Sequence, residues 1–305
     1  MDPDLAELTE QIALDPTQFI GIPLALIGAV FLSLGAQFQH RGVAKVEQNT
    51  VTSVGKGLNG RQLALLLARP SWVLGTVMLG LAIVFQLSSL YFAPLIVVQP
   101  LGAIALVITA ILNSRVAHVK LNRRSIIAIS MCVGGVFLFV GVAAFTAVDT
   151  PVTDRDLYTI LIVLAVTVVL LGTAFAFLRH RMRAIFYVLG AGFLYGFVAT
   201  LAKVILGRIE QEEFDWLTLL CVVALLAATA LGAYFVQNAY ATGPPDLVIA
   251  GLTVVDPMVA VGIGIVVLGE ASQAPPWASV VFVITGIVAV WGVFELARHH
   301  PQTRP

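Results

Sequence analysis

Nine stretches of about twenty predominantly apolar residues recur along this chain of 305 residues. A helix needs roughly 20 such residues to cross the hydrocarbon core of a bilayer, because each residue advances it by only about 1.5 Å. The stretches are continuous and lack the period-two alternation of a membrane β-barrel. The sequence therefore predicts an all-α polytopic membrane protein, with spans 1 to 9 at 20–39, 71–91, 94–113, 125–146, 157–178, 184–206, 216–238, 246–269 and 277–297.

The composition excludes an ordinary soluble enzyme. Hydrophobic residues make up 59% of the chain and charged residues 11%, against about 25% charged in soluble domains. The 17 basic and 17 acidic residues cancel, which argues against a nucleic-acid partner and leaves the lipid bilayer as the expected surroundings. The sequence contains no Gly-Lys-Ser/Thr phosphate loop and no His-Glu-x-x-His or Cys-x-x-Cys motif, so we expect neither an enzyme nor a bound cofactor.

The positions of the charges predict an orientation. Fourteen of the 17 Lys and Arg residues fall on one side if there are nine spans, and this excess marks the cytoplasmic side. We therefore expect the cytoplasmic membrane, with the acidic N-terminal tail (1–19) outside and the C-terminal tail (298–305) inside. The segment Lys56–Arg69 is expected to be an interfacial helix. If it spans the membrane instead, there are ten spans and both termini lie on one side.

Two halves of the chain show weak similarity in the same order. The residues before Pro100 read Val-Val-Gln, and those before Pro257 read Val-Val-Asp. Span 4 carries Gly135 and Gly141, and span 9 carries Gly286 and Gly292 with the same spacing. These matches pair spans 1 to 4 (20–146) with spans 6 to 9 (184–297) around a linking span 5 (157–178). An odd linking span makes the two repeats inverted, an architecture found in many secondary transporters.

Three stretches resemble a known family. YFAPLIVVQPLGAIALVITAILNS (91–114) and IIAISMCVGGVFLFVG (126–141) resemble NIPA-type magnesium transporters, a branch of the drug/metabolite transporter superfamily. VVDPMVAVGIGIVVLGE (254–270) resembles the EamA-like pattern of that superfamily's second half. The resemblance implies a transporter, with magnesium as the expected substrate. Aligned on the motif, the family's span-2 Glu and Asn fall at Ile83 and Gln86, and its Thr before Pro-Leu-Gly falls at Gln99.

Asp256 is the strongest candidate for a functional residue, because it is the one acid well inside a predicted span. A charge at that depth costs about 2.5–3.5 kcal/mol and normally faces a cavity or a partner. Pro257 frees the carbonyl of Thr253, whose hydroxyl shares a helix face with Asp256. These oxygens would suit a metal cation or a proton, with Asp256 as the metal ligand. In the first repeat, Pro100 predicts a matching distortion beside Gln99.

Further polar residues inside the spans are candidates for the same site. Lys203 could snorkel to the interface, contact an anionic group of the substrate or pair with Asp256. Gln37, Gln86 and Asn238 could line a polar cavity or join helices through hydrogen bonds. The glycine pairs of spans 4 and 9 would permit close helix packing within the bundle or in a homodimer.

We thus expect a secondary transporter that moves a small solute or cation, such as Mg²⁺, by alternating access. Two alternatives stay open on the residues alone. One is proton-coupled transport of a small organic metabolite or drug, and the other is a membrane scaffold that transports nothing.

Overall fold

The computed structural model describes residues 18–48, 69–116, 123–178, 184–242 and 245–299. The described part is helical, and nine segments of it are long and apolar enough to cross a membrane, which confirms the predicted all-α polytopic class. Span 3 consists of two helices, so the ten helices are α1 (Gln18–Gln48), α2 (Pro70–Phe92), α3 (Leu95–Leu101), α4 (Ala103–Val116), α5 (Arg123–Thr146), α6 (Asp154–Leu178), α7 (Ala184–Glu210), α8 (Trp216–Thr242), α9 (Pro245–Val266) and α10 (Pro276–His299).

The N-terminal tail up to residue 17, most of the predicted interfacial helix (56–68) and the C-terminal tail beyond residue 299 lie outside the described residues. Most of the acidic residues between the described spans lie at one end of the helix bundle. We call the end of the bundle that carries Asp149, Asp154, Glu210, Asp215 and Glu270 the acidic end. It contains the C-termini of α2, α5, α7 and α9 and the N-termini of α3, α6, α8 and α10.

Two helices start at the acidic end on local capping signals. Asp215 accepts hydrogen bonds from the N–H and the hydroxyl of Thr218, both at 2.9 Å, and so caps α8. The bond from the Thr218 N–H is the main cause that lowers the pKa of Asp215. Thr153 and Asp156 form a reciprocal pair at the start of α6, in which the Asp156 carboxylate accepts from the Thr153 N–H at 2.9 Å.

Glycines set the close packing of the α1–α2 hairpin. Gly21, Gly28 and Gly35 repeat every seven residues along one side of α1 and face α2. A β-carbon on Gly21 would lie 2.5 Å from the Cβ of Ala93, and one on Gly35 would lie 3.0 Å from the carbonyl oxygen of Gly75. In the bilayer, where lipid is as apolar as a leucine side chain, such close approach is what makes helix association favourable.

The α7 helix is the most buried span among those described, and α6 is the most exposed. One side of α7 packs on α9, where Gly192 meets Val255 and Gly196 meets Val259. Another side packs on α8, and α7 also contacts α2. The second half of the chain thus contributes the central helix of the bundle.

The α5 and α10 helices pack through one glycine each. A β-carbon on Gly135 would lie 2.7 Å from the backbone nitrogen of Ala289, and one on Gly292 would lie 2.5 Å from that of Cys132. Gly141 and Gly286 face open space. The packing interpretation therefore applies to Gly135 and Gly292, and a homodimer stays a prediction.

These contacts revise the register of the sequence similarity. Gly135 contacts Thr285 and Ala289, while Gly292 contacts Ala128 and Cys132. Thr285, Ala289 and Gly292 lie 157 residues after Ala128, Cys132 and Gly135. If residues 157 apart correspond, each glycine therefore makes the same contacts with the opposite helix. Pro100 and Pro257 are also 157 residues apart. If the two halves are repeats, these contacts favour pairing Gly135 with Gly292 rather than with Gly286, which the matched glycine spacing had indicated.

Span 3 has a local irregularity at Gly102, whose dihedrals stay helical (φ −57°, ψ −31°), whereas the helix of span 8 is continuous. Gly102 separates α3 from α4, and its N–H bonds to the Gln99 carbonyl at 3.1 Å, three residues back. Pro257 lies inside a helix that continues to Val266. The expected pair of distortions is therefore one local irregularity and one proline-containing helix. A proline by itself removes one hydrogen bond, and membrane helices tolerate this loss when neighbouring groups compensate.

Adjacent glycines on α5 provide a test of the α5–α10 interface. Gly135→Ala is expected to destabilise the protein by about 1–3 kcal/mol, because the added methyl group meets the backbone of α10. Gly134→Ala is expected to be neutral or stabilising by up to about 1 kcal/mol, because Gly134 has open space beside it and alanine favours helix. The measurement is the fraction of monodisperse protein that survives heating in detergent. Equal effects of the two variants would contradict the packing.

Candidate functional site

A cavity of about 450 Å³ lies between α1, α2, the α3–α4 junction, α7 and α9, and it is open on the α1–α2 side, where Ile83 is 61% exposed. Most of its walls are apolar. The polar side chains that line it are few, and they come from both halves of the chain: Gln86, Gln99, Tyr195, Thr253 and Asp256. The sequence singled out four of these five residues, and the fold brings them together.

Asp256 lies on α9 and lines the cavity beside Pro257. Its Oδ1 atom is buried, and none of the described residues forms a hydrogen bond with it. Gly196 on α7 allows the approach of this part of α9, because a β-carbon there would lie 3.0 Å from the Asp256 carbonyl oxygen. A buried carboxylate oxygen without a partner costs free energy, so its retention points to a ligand.

Gln99 contributes a second unpaired group. The residue is 6% exposed, and its Nε2 atom is buried with no hydrogen-bond partner among the described residues. Gln99 and Asp256 are 157 residues apart, and each directly precedes one of the two corresponding prolines. Gln99 and Asp256 thus both line the cavity, and each carries one buried polar atom without a partner among the described residues, a donor on Gln99 and an acceptor on Asp256.

Thr253 and the α2 residues complete the lining. The Thr253 hydroxyl donates its hydrogen to the Ile249 carbonyl at 2.8 Å. Toward the cavity it can therefore act only as a hydrogen-bond acceptor. Gln86 faces the cavity from α2, one turn from Ile83. Ile83 also lines the cavity, and this is the position to which the resemblance assigns an acid. Among the described residues that line the cavity, Asp256 is the single acid.

Three predicted site residues lie elsewhere. Asn238 on α8 donates to the Tyr234 carbonyl of its own helix at 2.7 Å, and Gln37 on α1 is not part of the lining. Lys203 does not contact Asp256. Its ammonium group forms an ion pair with Asp149 at 2.5 Å and donates to the carbonyls of Leu90 and Ala93. Lys203 therefore neither snorkels into the headgroups nor pairs with Asp256, because acceptors at the end of α2 bind it.

Glu270 is a buried acid that the sequence analysis treated only as an external charge. The residue is 1% exposed, and its carboxylate accepts hydrogen bonds from the N–H groups of Leu95 and Ile96, both at 2.8 Å. Gly264 leaves room for this carboxylate, since a β-carbon there would lie 2.6 Å from Glu270 Oε2. The available sequence signal was a Gly-Glu pair directly after an apolar span.

Lys203 and Glu270 bind opposite sides of one turn. The turn between α2 and α3 exposes the carbonyls of Leu90 and Ala93, which Lys203 binds, and the first N–H groups of α3, which Glu270 binds. Both side chains come from the second half of the chain. We call these contacts, together with the Lys203–Asp149 ion pair, the acidic-end clamp. The clamp joins the two halves at the acidic end.

Burial shifts the pKa of the Glu270 carboxyl. Loss of solvent raises its pKa to about 7, although the Ile96 and Leu95 N–H groups and Lys203 act in the opposite direction. Asp149 adds a smaller upward effect. Glu270 therefore changes its charge near neutral pH.

Comparison with known proteins identifies the family. The family profile described as "Magnesium transporter NIPA" matches residues 17–189, more than half of the chain. The chain belongs to this family. It is a membrane transporter by family, and the resemblance of its first half to the NIPA family is confirmed. No solved structure matches the chain.

The curated relatives differ in how much of the chain they cover. An uncharacterized protein of Corynebacterium glutamicum is 24% identical over 284 residues, which are 92% of this chain and 96% of that protein. The probable magnesium transporters NIPA4 and NIPA1 of Arabidopsis thaliana are 29% and 27% identical over 115 and 122 residues. Those matches span 38% and 40% of this chain, and only 32% and 35% of the plant proteins.

Asp256→Asn is expected to raise stability in detergent by about 1 kcal/mol or more. The substitution removes a charge that is buried without a partner, while it keeps the shape of the side chain. Thermal unfolding of the purified protein, followed by intrinsic fluorescence in metal-free buffer, measures the effect. A lower stability of the variant would mean that Asp256 has a stabilising partner in the native protein.

Proposed function

We propose that this chain is a secondary transporter of the drug/metabolite type, which carries a small cation across the cytoplasmic membrane by alternating access. The observation that carries the proposal is the unpaired Asp256 carboxylate oxygen in a central cavity formed by both halves of the chain. A carboxylate attracts a cation, and a site between repeats near the middle of the bundle is where transporters of this architecture bind their substrates.

The relatives' names favour Mg²⁺ as the cation. Among the described residues, no three His, Cys, Asp or Glu side chains are grouped so as to hold a metal ion directly. Mg²⁺ loses its water reluctantly and usually keeps several water ligands in proteins. We therefore propose that the ion crosses largely hydrated, with bound water donating to the Asp256 carboxylate and the Thr253 hydroxyl oxygen. A cavity of about 450 Å³ has room for such a complex.

Several features support alternating access between inverted repeats at 20–146 and 184–297, linked by span 5. The reciprocal α5–α10 contacts and the two prolines share one spacing of 157 residues. The α3–α4 junction lies beside the cavity. A second, apolar cavity of about 100 Å³ shares Thr253, Pro100 and Pro257 with this region and leaves room for them to move.

The orientation proposed from the charges places the acidic end outside and the C-terminus inside. In this arrangement the acidic-end clamp closes the cavity toward the outside. Opening would require Lys203 and Glu270 to leave the turn between α2 and α3.

A flux assay tests the proposed function. Purified protein in liposomes that contain a Mg²⁺-sensitive dye is expected to admit Mg²⁺ along a concentration gradient. Asp256→Asn is expected to slow the flux at least about tenfold, because a charge-assisted contact contributes about 1.5–3 kcal/mol. Glu210→Gln is the matched control, because Glu210 is an exposed acid at the end of α7, away from the cavity.

Wild-type flux equal to that of empty liposomes would contradict cation transport, provided that the protein is folded and inserted. Equal flux through wild type and Asp256→Asn would leave transport standing and contradict the site.

Removal of the Glu270 carboxylate is expected to favour opening at the acidic end. Glu270→Ala leaves the Leu95 and Ile96 N–H groups without their acceptor in the closed state, a loss of about 1 kcal/mol for each bond. A cysteine placed at Ala199 in the cavity, with Cys132 and Cys221 replaced by alanine, reports access. An impermeant thiol reagent added outside cells should label it about tenfold faster in Glu270→Ala, and Glu210→Ala should have no effect.

The same labelling rate should depend on pH. The closed state raises the Glu270 pKa above its usual value of about 4.3, so protonation favours closure. The stabilisation of the closed state by Glu270 protonation is complete below about pH 4 and is lost as the pH rises through about 7. Labelling should therefore be faster at pH 8 than at pH 5 after correction for thiol reactivity. Glu270→Ala should abolish the difference, and an unchanged pH profile would exclude Glu270 as its cause.

A further inference from the structure

The walls of the central cavity are more apolar than a metal ion needs. Fourteen of its nineteen lining residues have hydrocarbon side chains or none, among them Leu32, Ile83, Leu87 and Leu252. A hydrated metal ion makes its contacts through water and gains nothing from such walls. Cavities of about 300–1,000 Å³ with apolar walls and a few placed polar groups are typical of sites for small organic molecules.

The two unpaired groups add a chemical requirement. Asp256 Oδ1 needs a hydrogen-bond donor, and a positive one is preferred. Gln99 Nε2 carries N–H groups, which cannot coordinate a metal ion and need an acceptor atom. In this orientation of the Gln99 amide, a metal cation leaves its N–H groups unsatisfied, because water bound to a metal donates more readily than it accepts. A ligand with both a cationic donor and an acceptor atom satisfies both groups.

We propose that the cavity also binds monovalent organic ammonium ions that carry a hydrogen-bond acceptor, such as amino alcohols. This inference rests on the transport function proposed above. The ammonium group donates to Asp256, the acceptor atom takes a hydrogen bond from Gln99, and the hydrocarbon part lies against Ile83 and Leu87. One carboxylate balances one positive charge, which selects monovalent ions of this class.

Tyr195 supports the assignment. Its side chain lines the cavity from α7 and packs over Gly232 of α8, where a β-carbon would lie 2.9 Å from the ring. The ring is thus held in place by α8, a helix from which no described residue lines the cavity. An aromatic ring in the wall of a cavity that also contains a carboxylate favours an organic cation.

Binding to the purified protein in detergent tests the proposal, because amines cross lipid bilayers by themselves in the neutral form. Isothermal titration calorimetry at pH 7 compares three probes: 4-aminobutan-1-ol, butylamine, which lacks the acceptor, and Mg²⁺. We expect aminobutanol to bind at least fivefold more tightly than butylamine and to compete with Mg²⁺ for Asp256.

Variants assign the contacts. Asp256→Asn should weaken both amines at least tenfold. Gln99→Leu should remove the preference for aminobutanol but keep the binding of butylamine. Gln237→Leu on α8 is the matched control, because Gln237 is exposed and does not line the cavity. Ile83→Glu adds a second carboxylate to the cavity and should shift the preference toward Mg²⁺ at the expense of the amines. Thermal unfolding confirms that each variant is folded.

The outcomes separate this inference from the proposed function. Mg²⁺ flux without amine binding would overturn the ammonium site and leave cation transport standing. Amine binding that is unchanged by Asp256→Asn and Gln99→Leu would also overturn it, since the amines would then bind elsewhere. Amine binding with the expected variant effects, but without Mg²⁺ flux, would support the ammonium site and contradict Mg²⁺ as the substrate.

Discussion

The need to satisfy every backbone N–H and C=O group within the bilayer governs this structure. Water is absent from the hydrocarbon core, so a chain that crosses it must form helices or bury its irregular parts among polar partners. The described chain departs from helix close to its core at the turn between α2 and α3, and its hydrogen-bond pattern tightens at Gly102. At the turn, Lys203 binds two carbonyls and Glu270 binds two N–H groups. Two buried ionisable side chains from the second half thus make the first half's irregular backbone possible.

The same constraint explains why small residues hold the bundle together. Helices in lipid gain little from apolar burial, so they associate where their backbones can approach closely. Glycines occupy such positions in the α1–α2 hairpin, between α7 and α9 and between α5 and α10. The α5–α10 contacts are reciprocal at a spacing of 157 residues, which also relates Gln99 to Asp256. The groups that bind substrate in our proposal therefore occupy corresponding places in the two halves.

The unpaired groups in the cavity stand out against this background. The polar groups of the acidic-end clamp are paired with partners, whereas Asp256 Oδ1 and Gln99 Nε2 are buried without any among the described residues. Gln99 and Asp256 line one cavity, and the paired Lys203 and Glu270 lie beside it at the acidic end. The third buried atom without a partner in the described part of the chain, Arg208 Nε, belongs to a guanidinium group that pairs through its other nitrogens with acids at that end. The residues that line the cavity thus carry polar groups that lack a partner, whereas the contacts of the acidic-end clamp stabilise one conformation. This difference assigns substrate binding and closure to different residues.

The sequence by itself predicted the all-α class, the family and the nine apolar spans found among the described residues, because span length and apolar composition are local properties that the bilayer thickness fixes. It also identified Asp256, because a charge at that depth has few harmless explanations. It could not tell that Gln86 and Gln99 face the cavity while Gln37 and Asn238 do not. Lipid and neighbouring helices are equally apolar, so hydrophobicity does not show which way a membrane helix is rotated. The roles of Lys203 and Glu270 were likewise decided by the tertiary structure, because their partners are backbone groups of a distant turn that no side-chain pattern reveals.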